Sequence, residues 1–270
     1  MEILGYIGAV LMGMSLGLIG GGGSILTVPI LVYLFQVDAV LATAYSLFIV
    51  GLTSLIGSGS HMRLGNIHWR TAIVFGIPSI IAVYATRAWL VPALPDPLFA
   101  VGGTAISKAL GMLIFFALLM VAAAYSMIRK PRYTRPSTQV NLQPPTFNYP
   151  LILAEGLVVG TITGLVGAGG GFLIIPALVL LARLPMKQAV GTSLIIIAAK
   201  SLLGFLGDLK GDEPIDWAFL GIFSAIAICG ILIGSMLSKH IPNEKLKPAF
   251  GWFVLVMGVY IIGRELTELS

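Results

Sequence analysis

The chain has 270 residues, more than half of them apolar and only a tenth charged, with a formal net charge of +5 and a mean hydropathy of +1.00. Soluble domains carry about a quarter charged residues, so this composition excludes a globular surface in water and leaves lipid as the solvent. Lipid admits only helices or closed barrels, and the apolar runs are long and continuous rather than alternating, which selects helices.

The first run, 3–19, follows Met1-Glu2 without the basic flank of a cleavable leader and is expected to be retained. It ends in Gly20-Gly21-Gly22-Gly23, and the next run, 24–35, is too short to cross about 30 Å of hydrocarbon at about 1.5 Å per residue. Runs at 39–60, 69–91 and 104–128 complete a first half, 1–128. Residues 129–148 change character, with Arg129-Lys130-Pro131-Arg132 and Gln143-Pro144-Pro145, and read as a solvated, basic, Pro-rich cytoplasmic linker. The second half, 149–270, opens with 149–167 and reaches Gly167-Ala168-Gly169-Gly170-Gly171. A second short run follows at 171–182, then longer ones at 187–207, 216–238 and 247–263.

The halves are copies of one pattern. An offset of 147 residues carries Gly17-Leu18 onto Gly164-Leu165, Gly22-Gly23 onto Gly169-Gly170, Pro29 onto Pro176, Ser46-Leu47 onto Ser193-Leu194 and Ser54-Leu55 onto Ser201-Leu202. One inserted residue later, Ile67-His68-Trp69 meets Ile215-Asp216-Trp217. Low complexity explains matched Leu and Gly, but not matched Pro, Ser and Trp. Equivalent loops carry opposite charge bias. The 61–70 loop holds Arg63 and Arg70, whereas its mate holds Lys210 against Asp208, Asp212, Glu213 and Asp216. By the positive-inside rule the halves are expected to be inverted, with 61–70, the linker and 239–247 cytoplasmic. The fold expected is an all-α integral membrane protein of two inverted-topology repeats. Each repeat has about five apolar segments, with glycine-broken short helices near the midplane.

Broken backbone inside a membrane is tolerated only where protein or a water-filled cavity covers it. Short helices opening at Ser24 and Phe172 would turn unpaired N–H groups and partial positive charge toward the breaks, and the absence of side chains would let an anion reach them. Inverted repeats bring such tips together near the midplane. The expected substrate-binding groups are therefore Gly20, Gly21, Gly22, Gly23 and Ser24 from the first half and Gly167, Gly169, Gly170 and Gly171 from the second. Side chains at these tips would then fill substrate space while leaving helix packing intact. Lys200 sits in the middle of Ile195-Ile196-Ile197-Ala198-Ala199-Lys200-Ser201. A charge at midspan costs about 2.5–3.5 kcal/mol on insertion scales, and a cation facing a cavity would attract an anion. The bland alternative is a structural pair, for instance with Glu155. Tyr45, Ser46, Thr192 and Ser193 add hydroxyls at matched positions, although back-bonding to the helix is the ordinary role of such groups. Trp69 and Trp217 read as interfacial anchors, and His61, His68 and His240 as solvated loop residues.

The paired stretches Gly17-Leu18-Ile19-Gly20-Gly21-Gly22-Gly23-Ser24 with Pro29 and Gly164-Leu165-Val166-Gly167-Ala168-Gly169-Gly170-Gly171 with Pro176 resemble the sulfite exporter TauE/SafE family of permeases. Gly191-Thr192-Ser193 and Gly65-Asn66-Ile67-His68-Trp69 carry the same resemblance, which spans the chain apart from the linker. It implies a secondary transporter of a small anion such as sulfite, thiosulfate or an organosulfonate, multi-pass in the bacterial inner membrane. An anion channel of the same fold is the alternative. The partners expected are the anion and the lipid bilayer, with no nucleic acid and with a homo-oligomer left open. No cofactor is expected. Cys229 is alone and only three His are present, too few for a zinc or iron–sulfur cluster, and an enzymatic role is not expected.

Overall fold

A computed structural model of the chain describes residues 2–101, 104–128, 149–167, 169–180, 182, 184–209, 215–237 and 243–269. The linker expected at 129–148 and His240 lie outside the described residues, as do the surroundings of Gly22. The first half contains α1 (Glu2–Ile19), α3 (Ala39–Arg63), α4 (Trp69–Ala93, widening into a π turn at Thr86–Leu90) and α5 (Lys108–Ile128). Between α1 and α3 lies α2, a composite of a 3-10 turn (Gly21–Leu26), one α turn (Thr27–Pro29) and a π turn (Ile30–Leu34). The second half contains α6 (Tyr149–Val166), α7 (Gly171–Leu180), α8 (Met186–Asp208), α9 (Trp217–Leu237) and α10 (Asn243–Leu269). Among the described residues, six helices are long and apolar enough to cross a membrane, α1, α3, α4, α5, α8 and α9, while α2 and α6 are shorter apolar helices.

Three details depart from the sequence reading. The first short helix opens at Gly21 instead of Ser24, because three glycines wind into the 3-10 turn and leave Gly20 (φ 84°) as the break. The run expected to start a helix at 104 begins in a short antiparallel hairpin, β1 (Phe99–Val101) with β2 (Thr104–Ile106). Its return is tied by Leu98 N–H donating to Ile106 O at 2.9 Å and Lys108 N–H to Asp96 Oδ1 at 3.2 Å. Finally, His61 lies in the last turn of α3 and His68 caps α4, both half-buried instead of solvated.

Packing repeats across the two halves. Helix α1 packs on α9 as α6 packs on α4, α4 on α8 as α9 on α3, and the equivalent pairs α3·α8 and α5·α10 pack on each other. Helices α3 and α8 run antiparallel, since Leu47 lies by Gly204, Gly51 by Leu202 and Gly57 by Leu194. Helices α1 and α9 run parallel, with Gly13 on Ala227 and Gly17 on Ile231 and Ser235. One hydrogen bond is also duplicated. Asp216 N–H donates to Tyr45 Oη at 2.8 Å, and His68 N–H, its repeat mate, donates to Thr192 Oγ1 at 2.9 Å. Each of those residues also caps the helix that follows it: Asp216 Oδ1 accepts from Phe219 N–H at 2.9 Å and His68 Nδ1 from Thr71 N–H at 3.3 Å. Such caps satisfy N–H groups that a helix start otherwise leaves unpaired. The outer faces carry large exposed apolar side chains, among them Ile3, Ile77, Ile81 and Trp217, as lipid contact requires.

Candidate functional site

The two glycine clusters meet at the centre of the fold. A side chain on Gly21 would strike the backbone of Gly171, and one on Gly171 the backbone of Gly21. Backbone thus lies directly on backbone, and the tips are closed against each other at this point. To one side the second cluster turns from α6 into α7, packed on Thr43, Val50 and Thr163. Gly167, Gly169 and Gly170 all take positive φ there (70°, 62° and 66°), a region other L-residues rarely enter. The opening N–H groups of α7, from Gly171 and Phe172, have no intrahelical acceptor and carry the positive end of the helix dipole.

Lys200 reaches this turn from α8. The residue is fully buried, and its Nζ donates to Thr163 Oγ1 at 2.9 Å. Thr163 Oγ1 in turn donates to Gly160 O at 3.1 Å. A Cβ on Gly170 would stand 2.7 Å from Nζ and would collide with Thr163, so the glycine is what allows the ammonium to lie against the turn. No carboxylate among the described residues pairs with Lys200. The pairing with Glu155 weighed above does not form, and Glu155 is half-buried elsewhere on α6. Ser201 Oγ is buried without a hydrogen-bond partner, 3.4 Å from the position of a Gly169 Cβ. A buried hydroxyl left unpaired costs about 1–3 kcal/mol, and the buried hydroxyls of Ser54 and Ser79 are in the same state.

Other expected site residues are engaged differently. Ser24 Oγ donates to Gly21 O at 2.8 Å and Ser193 Oγ to Val190 O at 2.8 Å. The hydroxyls of Tyr45 and Thr192 hold the starts of α9 and α4. Gly23 is packed on Met12, Ser15 and Leu16 of α1, and Gly20 on Val190 and Ile175. Ser46 Oγ is buried with no hydrogen-bond partner. The expectation that side chains on the clusters would leave packing intact is corrected: besides the contact of Gly21 with Gly171, a side chain on Gly169 would press on Val50 from a positive φ. The two tips are also chemically unlike. Thr53, the mate of Lys200, spends its hydroxyl on Ile49 O at 2.6 Å, and the mate of Thr163 is Leu16.

Sequence reasoning passed over Arg87, Thr163 and Ser201. Arg87 is 1% exposed; its Nη2 donates to Thr43 Oγ1 at 2.8 Å, and its Nε lies 3.1 Å from Asp208 Oδ2. That ion pair is close but not aligned for a hydrogen bond. Thr43 in turn packs on Gly167. Arg87 lies near the end of the run 69–91, where a cation ordinarily reaches the interface. Only the packed fold turns it inward.

A family model described as Sulfite exporter TauE/SafE matches residues 6–261. Proteins named Probable membrane transporter protein from Xylella fastidiosa strains Temecula1 and 9a5c are 29% and 30% identical, each over 96% of this chain and 94% of its own length. A protein from Methanocaldococcus jannaschii, also named a Probable membrane transporter protein, is 29% identical over 96% of this chain and 93% of its own. No solved structure matches the chain.

Proposed function

Because this chain belongs to the sulfite exporter TauE/SafE family and is a multi-pass membrane transporter, we propose that it carries a small sulfur oxyanion, sulfite or a related thiosulfate or organosulfonate, across the bacterial inner membrane. The observation that carries this reading is Lys200, a fully buried lysine with no carboxylate partner among the described residues, set against a turn of positive-φ glycines. The substrate binds on the second-half side of the closed glycine contact. There Lys200, the opening N–H groups of α7 and the Ser201 hydroxyl can each donate to an oxyanion. Each helix terminus contributes about 0.3–1 kcal/mol when exposed and up to about 2 when partly buried, so the ammonium supplies the larger share. The antiparallel course of α3 and α8 supports opposite orientation of the halves, with alternating access arising from their rocking about the shared centre.

Sulfite titrated onto the purified protein by calorimetry tests this reading, with sulfate, thiosulfate and a simple sulfonate as comparators. Lys200→Met is expected to cost about 2–5 kcal/mol of binding, as for other truncated buried charge contacts, with the protein still folded. Wild-type affinity in that variant, or no binding of any of these anions to the parent protein, would overturn the assignment.

A further inference from the structure

The buried ion pair Arg87–Asp208 lies outside the site just described. Three of the five guanidinium N–H donors, on Nε and Nη1, make no hydrogen bond, although the side chain is almost completely enclosed. Asp208 meets it through one oxygen and not in the two-pronged geometry that carboxylates usually adopt with arginine. A buried pair so loosely joined returns little of its desolvation cost. Its position matters too. Asp208 closes α8 and its side chain is 15% exposed, whereas Lys200, eight residues back on the same helix, is fully buried. Eight residues of helix span about 12 Å. Between these levels Arg87 binds Thr43, Thr43 packs on Gly167, and the glycine turn leads to Gly170 and Lys200. Arg87 itself stands in the π turn of α4, a local widening that recurs at functional positions.

The other half shows what this place needs for packing alone. The repeat mates of Arg87, Asp208, Thr43 and Gly167 are Ser235, His61, Val190 and Gly20. Val190 packs on Gly20 as Thr43 packs on Gly167. The contact is duplicated while the carboxylate and the guanidinium are not, so the fold does not require the charges here.

Resting on the oxyanion reading above, we propose that Arg87 is a second anion-binding station between Lys200 and the face where α8 ends, with Asp208 as its resident counter-ion. An arriving sulfite or sulfonate takes the unused guanidinium donors in a two-oxygen contact and displaces the carboxylate toward solvent. When the anion leaves, Asp208 closes again on Arg87. The pair therefore acts as an anion-selective gate on one side of the site, and the half bearing His61 and Val190 has no counterpart to it.

The experiment compares the full chain with Asp208→Asn, Arg87→Gln, the double variant and Lys200→Met. Sulfite binding is measured by calorimetry, and sulfite flux in proteoliposomes. If Arg87 is free of Asp208 about a tenth of the time, removing the carboxylate tightens the apparent sulfite Kd about tenfold. Arg87→Gln is expected to lower flux while sulfite still binds through Lys200. Should that single variant fail to fold around an unpaired Asp208, the double variant removes both charges together. It is expected to fold and bind sulfite, with flux well below the parent's. An Asp208→Asn protein with unchanged or weaker affinity, or a double variant that transports at the parent rate, would overturn the gate. Loss of sulfite binding in Lys200→Met alongside either result confines the failure to the gate, whereas a parent that binds no sulfite brings down both readings.

Discussion

At Gly170 the hydrogen atom in place of a side chain does two things at once. It permits a φ of 66° and leaves Lys200 Nζ and Thr163 in place. Gly170→Ala is therefore expected to cost about 1–2 kcal/mol for the left-handed conformation alone and to push the ammonium off the turn. Thermal unfolding in detergent should fall, and sulfite affinity with it. Gly221→Ala is the control, since a Cβ there meets nothing within 4 Å; stability and binding should hold. Loss of stability in Gly170→Ala with sulfite affinity intact would separate the glycine from the site. Lys200 was legible in the sequence because a charge inside an apolar run has no ordinary explanation. Thr163 was not, because a helical threonine ordinarily bonds its own backbone, and this one does so while also accepting from Lys200. Tyr45 and Thr192 looked like ligand donors because the repeat aligns them. Their shared role is the attachment of the α9 and α4 starts, which depends on contacts 171 and 124 residues away along the chain.

At the scale of the element, small residues determine which helices approach closely. Gly13 and Gly17 on α1 face Gly230 and Gly234 on α9, and Gly156, Gly160 and Gly164 on α6 lie on Phe75, Ser79 and Thr86 of α4. Close backbone approach at small residues is how membrane helices gain packing energy when lipid offers no hydrophobic drive. Gly17→Leu and Gly160→Leu should each force a helix pair apart, at about 1–3 kcal/mol or more for overpacking. Gly263→Leu, where nothing lies within 4 Å of a Cβ, should change little. Size-exclusion profiles after graded heating would check this, and equal behaviour of all three would remove the close-packing account. The long helices were readable from apolar length and the half-length pair from the glycine clusters. The 3-10 and π turns of α2 and the π turn of α4 were not, because winding follows from packing and leaves no mark in composition. The hairpin at 99–106 was hidden for a related reason: a short apolar strand and the start of an apolar helix share the same residues.

Over the whole molecule, exchanging the halves reproduces the pattern of helix pairs, and the course of α3 against α8 bears on how each half meets the membrane. The end of α3 lies beside the start of α8, where Gly191 packs on Asn66 and His61. The end of α8 lies beside the start of α3, where Asp208 meets Arg87 and Arg87 meets Thr43. If both helices cross the bilayer, the loop after α3 and the loop after α8 emerge on opposite faces. The first carries Arg63 and Arg70 and the second mainly acidic residues, so the positive-inside rule sets the first in the cytoplasm. Two exposed positions report on this directly, Leu64 at 63% and Leu209 at 43%. With Cys229, the lone cysteine, replaced by Ala, single cysteines at these positions would be treated with a membrane-impermeant thiol reagent on intact cells. Leu209→Cys is expected to label from outside, and Leu64→Cys only after the membrane is permeabilised. The reverse pattern would keep the opposed halves but turn the protein over, placing the Arg87–Asp208 gate on the cytoplasmic side. Labelling of both positions from one side would be incompatible with antiparallel spanning helices, and the two glycine turns could not then approach the centre from opposite faces.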